Sequence, residues 1–141
     1  MSTMKESSNL EQIINRIKLN DPALIKVNLT YEQIGDVGAI AISHALEMNK
    51  AVIKLDLGHN NIGDAGVIAI AKILETNMTI VNIYLRSNEI GDMGATALAN
   101  TLKKGKIITK FDLGNNIIGD AGAIAIASAL EVNKNSPLCI V

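Results

Sequence analysis

Apolar and polar residues alternate in four short stretches of the chain: 25–29, 53–57, 81–85 and 109–113. Alternation predicts strands with one buried face. Val27, Leu55, Ile83 and Phe111 point inward in this reading, and Lys26, Lys54, Asn82 and Lys110 point outward. Each stretch is followed by a longer one with helical spacing, as in Val67, Ile70, Ala71 and Leu74, which predicts a helix with a buried stripe. Between strand and helix stands a recurring motif, Ile62-Gly63-Asp64-Ala65-Gly66. It also starts at Ile34, Ile90 and Ile118, so that each copy begins 28 positions after the last. A fixed period within about 20–50 residues marks a repeat solenoid.

The remaining positions fill in the unit. Asn60, Asn88 and Asn116 share one turn register, where the first repeat has Glu32. A buried amide donates and accepts, so stacked asparagines can satisfy the turns above and below. In the Gly-Asp-x-Gly motif the first glycine is expected at positive φ. The aspartate is expected to cap its own helix, and the second glycine to allow close approach to the neighbouring repeat. The small residues Ala39, Ala41, Ala69, Ala97, Ala123 and Ala125 let the helices sit near the strand layer. The helices are expected to end at Asn49, Asn77, Gly105 and Asn133, residue types that tolerate a left-handed C-terminal position. Residues 1–7 are polar and expected to be flexible. A capping helix is expected over 8–20, with Ser8 and Glu11 as its capping box, a face of Leu10, Ile13, Ile14 and Ile17, and Pro22 beyond its end. Residues 21–141 form the repeat domain, with units starting near 24, 52, 80 and 108. Residues 137–141 fall in register with a strand and are a candidate fifth one, with Cys139 facing inward.

Composition narrows the class. The 141 residues suit one domain, and 48% apolar with 19% charged residues is globular. Aromatics make up only 2%, so the core is aliphatic. A net charge of −1 gives no reason to expect nucleic acid or an acidic membrane surface. A single cysteine, no secretory signal and no apolar run long enough to span a bilayer make a cytoplasmic location the expectation. No catalytic, metal or cofactor constellation is present. Cys139, His44 and His59 form no triad or zinc spacing, and the motif glycines match no nucleotide loop. The chain is therefore expected not to be an enzyme and to need no cofactor.

The pattern Leu24-x-x-Val27-x-Leu29-x-x-Glu32-x-Ile34, repeated as Val52-x-x-Leu55-x-Leu57-x-x-Asn60-x-Ile62, resembles a leucine-rich repeat of the ribonuclease-inhibitor-like class. That resemblance covers residues 24–141. It implies an α/β solenoid, curved and right-handed, with parallel strands on the concave face, helices on the convex face, and a role in protein–protein contacts. The entry Asn20-Asp21-Pro22-Ala23-Leu24-x-x-Val27-Asn28-Leu29 resembles that of the tropomodulin leucine-rich-repeat domain, whose family caps actin filament pointed ends.

The outward strand positions are the candidates for function. Lys26, Lys54, Asn82 and Lys110 form one row, and Asn28, Asp56, Tyr84 and Asp112 the next. Thr30, Gly58, Arg86 and Gly114 form a third, with Tyr31, His59, Ser87 and Asn115 at the edge. Tyr and Arg most often dominate interfaces. The expected protein-binding residues are Lys26, Tyr31, Lys54, Asp56, His59, Tyr84, Arg86, Lys110 and Asp112. The competing bland reading makes Lys54–Asp56 and Lys110–Asp112 ordinary surface pairs covered by Tyr84. Ile40, Ile68 and Ile124 line up on the helices as a second apolar row. The leading function is a non-catalytic protein-interaction module binding a protein partner through the concave face. The alternatives are a regulator of a small GTPase or of actin ends, or a fragment of a larger leucine-rich-repeat sensor. A homodimer through the C-terminal end is a further expectation, because an uncovered last repeat exposes its core.

Overall fold

The computed structural model describes residues 8–104 and 108–132. The flexible start, the helix ends at Gly105 and Asn133, and the candidate strand with Cys139 lie outside these residues. The described chain runs α1 (Asn9–Lys18), β1 (Lys26–Asn28), α2 (Gly35–Leu46), β2 (Lys54–Asp56), α3 (Asp64–Leu74), β3 (Asn82–Tyr84), α4 (Asp92–Lys103), β4 (Lys110–Asp112), α5 (Asp120–Val132). The four strands form one parallel sheet in the order β1-β2-β3-β4. The register pairs Lys26 with Lys54, Lys54 with Asn82, and Asn82 with Lys110, as the 28-residue spacing predicts. The helices form a second layer in which each packs on the next.

The core is a set of columns, one side chain per repeat. Val27, Leu55, Ile83 and Phe111 make one column, and Leu29, Leu57, Leu85 and Leu113 another. Ile42, Ile70, Leu98 and Ile126 face them from the helices. The regular strands are three residues long, shorter than the five of the alternating pattern. Ile25 and Ile53, at the start of that pattern, are 45% and 42% exposed, so alternation overstates the buried face there. α1 packs on α2 at the start of the stack. Ser8 and Glu11 form its capping box, Ile17 is buried, and Leu10, Ile13 and Ile14 pack against the core.

Two asparagine ladders stitch the repeats. Asn60 lies in the upper turn, which leads from strand to helix. Its Oδ1 accepts from the Glu32 amide at 2.9 Å, and its Nδ2 donates to the Leu29, Leu57 and Gly58 carbonyls at 2.8, 3.0 and 2.9 Å. Asn88 and Asn116 repeat the arrangement one unit on each time. Glu32 is no rung; its carboxylate accepts from Asn9 of α1, so the first repeat uses this position to hold its cap. Asn49 and Asn77 lie in the lower turn, which leads from helix to strand. They are not the left-handed helix ends that the sequence suggests, since neither has positive φ. They are buried rungs: Asn77 donates to the Leu46 and Asn49 carbonyls and accepts from the Thr79 and Ile80 amides.

The recurring motif departs from expectation in two ways. Gly35 alone among its leading glycines has positive φ, at +59°; Gly63, Gly91 and Gly119 do not. The aspartates do not cap their own helices: α2, α3 and α4 have no side-chain N-cap bond. Instead each carboxylate reaches into the next repeat. Asp36 Oδ1 accepts from the Gly63 and Gly66 amides at 2.8 and 2.9 Å. Asp64 does the same for Gly91 and Gly94, and Asp92 for Gly119 and Gly122. These are the orphan donors of a helix N-terminus, satisfied by a charge that the helix dipole favours. The second glycine makes the predicted close approach. A Cβ at Gly94 would meet Asp64 Oδ1 and Val67 Cγ1 at 2.7 Å each.

Candidate protein-binding face

The strand face is built by the register. Lys26, Lys54, Asn82 and Lys110 stand in one row across the sheet, and Asn28, Asp56, Tyr84 and Asp112 in the next. Three local groupings tie the candidates together. The Lys54 ammonium sits over the Tyr84 ring, 4.9 Å from its centroid, a cation–π contact. Arg86 Nη1 lies 3.7 Å from Asp112 Oδ1. At the edge, the Tyr31 and His59 rings stack with centroids 4.2 Å apart and planes 12° from parallel. Lys26 and Lys110 are exposed and enter none of these groupings.

The two strand aspartates have work of their own. Asp56 Oδ1 accepts from the Gly58 amide at 3.0 Å and Asp112 Oδ1 from the Gly114 amide at 2.9 Å. Asn28 does the same for Thr30 at 3.1 Å. These short-range bonds start the upper turns. The surface pairs Lys54–Asp56 and Lys110–Asp112 do not form: Lys54 turns to Tyr84, and Asp112 to Arg86.

The edge positions carry a feature that periodicity alone does not reveal. Tyr31, His59, Ser87 and Asn115 all have φ between 52° and 58°. For a residue with a Cβ this left-handed geometry costs about 1–2 kcal/mol. It is held because Tyr31, His59 and Ser87 donate their amides to the Gly58, Arg86 and Gly114 carbonyls of the next repeat. The signal lies in residue type at Asn115 and His59, which belong to the types enriched at positive φ, and is absent at Tyr31 and Ser87. His44 is exposed on α2, far in register from the strand face. Among the described residues no cluster of three or more His, Cys, Asp or Glu residues is placed to hold a metal. No helix among them is long and apolar enough to cross a membrane.

Parallel strands stacked at a fixed period, each followed by a helix and joined by asparagine ladders, define a leucine-rich-repeat solenoid, a class of protein-interaction module. Residues 6–136 match the family model of the tropomodulin/leiomodin leucine-rich domain, and the chain belongs to that family. Among solved structures it is similar to leiomodin-1 actin-binding site 2, at 28% identity and a TM-score of 0.89, over 96% of this chain and 81% of that one. It also shares its fold with the tropomodulin C-terminal domain of Caenorhabditis elegans, at 19% identity and a TM-score of 0.83, over 94% of this chain and 81% of that one. Comparison with curated proteins finds no match.

Proposed function

We propose that this chain is a non-catalytic, cytoplasmic actin-binding domain that holds its partner on the concave strand face. The observation that carries the reading is the family match across 6–136, together with the likeness over 96% of the chain to a structure described as an actin-binding site. The face supports it chemically. Tyr84 and Arg86 are half-buried and braced by Lys54 and Asp112, so little side-chain freedom is lost on binding. Tyr31 adds a ring that is 72% exposed. Lys26 and Lys110 supply charge at the margin, where it steers association more than it adds affinity.

Co-sedimentation with actin filaments and binding to monomeric actin test the partner. Binding of the wild type is expected, weakened on the order of thirtyfold or more by Tyr84→Ala/Arg86→Ala if these are interface anchors. A wild type that ignores both forms of actin would reject the partner, and an unweakened double variant would reject the face. Self-association through the C-terminal end is a second reading, favoured by an apolar recess lined by Leu113, Ile118, Ile126 and Leu130. A solution mass of one chain at high concentration would exclude it.

A further inference from the structure

The fold sorts charge that the sequence mixes. Lys18 ends α1, Lys50 lies in the first helix-to-strand turn, and Lys103 ends α4, all on the lower rim. The loops there are bonded side by side. The Lys50 amide donates to Asn20 Oδ1 at 2.8 Å, and Asn77 Nδ2 donates to the Asn49 carbonyl at 3.2 Å. Of this rim's acids, Asp21 pairs with Arg16 and Glu75 with Lys104, each at 2.8 Å; Glu47 and Glu131 are exposed there too, but Lys18, Lys50, Lys72 and Lys103 outnumber them. The upper rim is the reverse. Glu32, Glu89 and Asp120 lie there beside the bracing aspartates, and Arg86 is its cation. α3 has 11 residues, so the rims stand about 16 Å apart. That exceeds the screening length of about 8 Å at physiological salt. A surface touching the lower rim therefore meets a basic edge, whatever the net charge of −1.

The same rim carries exposed apolar side chains. Leu19, beside Lys18, is 81% exposed, and Met48, two residues before Lys50, is 80% exposed; Met78 is exposed on the next loop. We propose that this rim docks on a membrane surface carrying anionic lipids, with Lys18 and Lys50 on the headgroups and Leu19 and Met48 dipping between them. The arrangement suits lipid better than protein. The apolar groups are few and carry no aromatic anchor of the kind that packs a protein interface: Leu19 stands beside Lys18, and Met48 and Met78 flank one shallow recess with Lys50. A headgroup layer accepts a few apolar tips and mobile ammonium groups. The strand face stays open to a protein partner at the same time.

Flotation with phosphatidylcholine vesicles, with and without about 30% phosphatidylserine, tests this, since anionic lipid attracts basic segments. Binding is expected only with phosphatidylserine and is expected to fade as salt rises to about 0.5 M. Lys18→Glu/Lys50→Glu should weaken it by about tenfold or more. Leu19→Ser/Met48→Ser should weaken it while keeping its salt dependence. Glu32→Gln/Glu89→Gln, on the upper rim, should leave it unchanged. Thermal melts establish that each variant is folded. No flotation at low salt, equal binding to neutral vesicles, or undiminished binding by the folded Lys18→Glu/Lys50→Glu variant overturns the proposal. So does capture of polyglutamate without capture of vesicles, which assigns the rim to an acidic protein instead.

Discussion

The upper and lower turns of each repeat use the same means to opposite ends. Both are laced by asparagines at the same period, buried Asn60 and Asn88 and half-buried Asn116 above, and buried Asn49 and Asn77 below. The upper turn adds a second lock. Asp36, Asp64 and Asp92 are acids committed to the amides of the following helix. In the lower turn the charged link between repeats is the exposed Lys104–Glu75 pair, while Lys18, Lys50, Leu19 and Met48 stand in solvent. The repeated aspartates thus serve structure on the upper rim, while Lys18, Lys50 and Lys103 stand exposed on the lower one. Counting charges along the chain hides that division of labour.

The largest effect should come from breaking an upper rung. Asn88→Ala strands several buried carbonyls and amides in two adjacent turns. At about 1–3 kcal/mol for a buried group left unsatisfied, a loss of about 3–5 kcal/mol is expected. Urea denaturation measures it, and a loss under about 1 kcal/mol would mean that water replaces the amide easily. Gly94→Ala comes next, because its methyl meets Val67 and Asp64; overpacking of this kind costs about 1–3 kcal/mol. Asp64→Ala should cost about 1 kcal/mol, the usual value of a lost helix cap. It should act on a helix 27 residues away, visible as faster hydrogen exchange at the Gly91 and Gly94 amides than at Gly66. Ser87→Gly has the opposite sign: relief of its φ of 57° should raise stability by about 1 kcal/mol.

The smallest effect belongs below. The Ala23 amide and then the Arg16 guanidinium hold the Asp21 carboxyl under its ordinary value of 3.8. The folded chain thus binds this proton less readily than the unfolded one. The resulting stability is present above pH 3.8 and fades as pH falls below it. Asp21→Asn should melt slightly below the wild type at neutral pH, and the two curves should converge as pH falls below 3.8. A gap that widens in acid would reverse the assigned sign.

The architecture was legible because each repeat restates it. Four copies of one alternating segment set the strand register to the residue, and Ser8 and Glu11 lie close enough in sequence for their capping box to be read directly. The aspartates were misread for the same reason. A local pattern sees Asp64 at the head of its own helix, whereas its partners, Gly91 and Gly94, lie 27 and 30 residues on. Asn49 and Asn77 were misread because asparagine suits both a left-handed helix end and a buried rung, and only packing decides between them. The rows of the strand face were legible, but the choice of Lys54 for Tyr84 over Asp56 was not. It depends on which carboxylate the turn amide claims first.

The forward reach of each aspartate also bears on how such a chain can grow or shrink. Asp36, Asp64 and Asp92 each lend a carboxylate to the next unit, so the units are links with a head and a tail. Excising residues 64–91 would leave Asp36 facing Asp92 and Gly94 in the places of Asp64 and Gly66. Gly94 would inherit the carboxylate that Gly66 now holds. Removing 27 or 29 residues instead would set every later column and rung one residue out of step. Gene duplication or deletion can therefore lengthen or shorten this domain by whole repeats without inventing a new junction, and by no smaller increment.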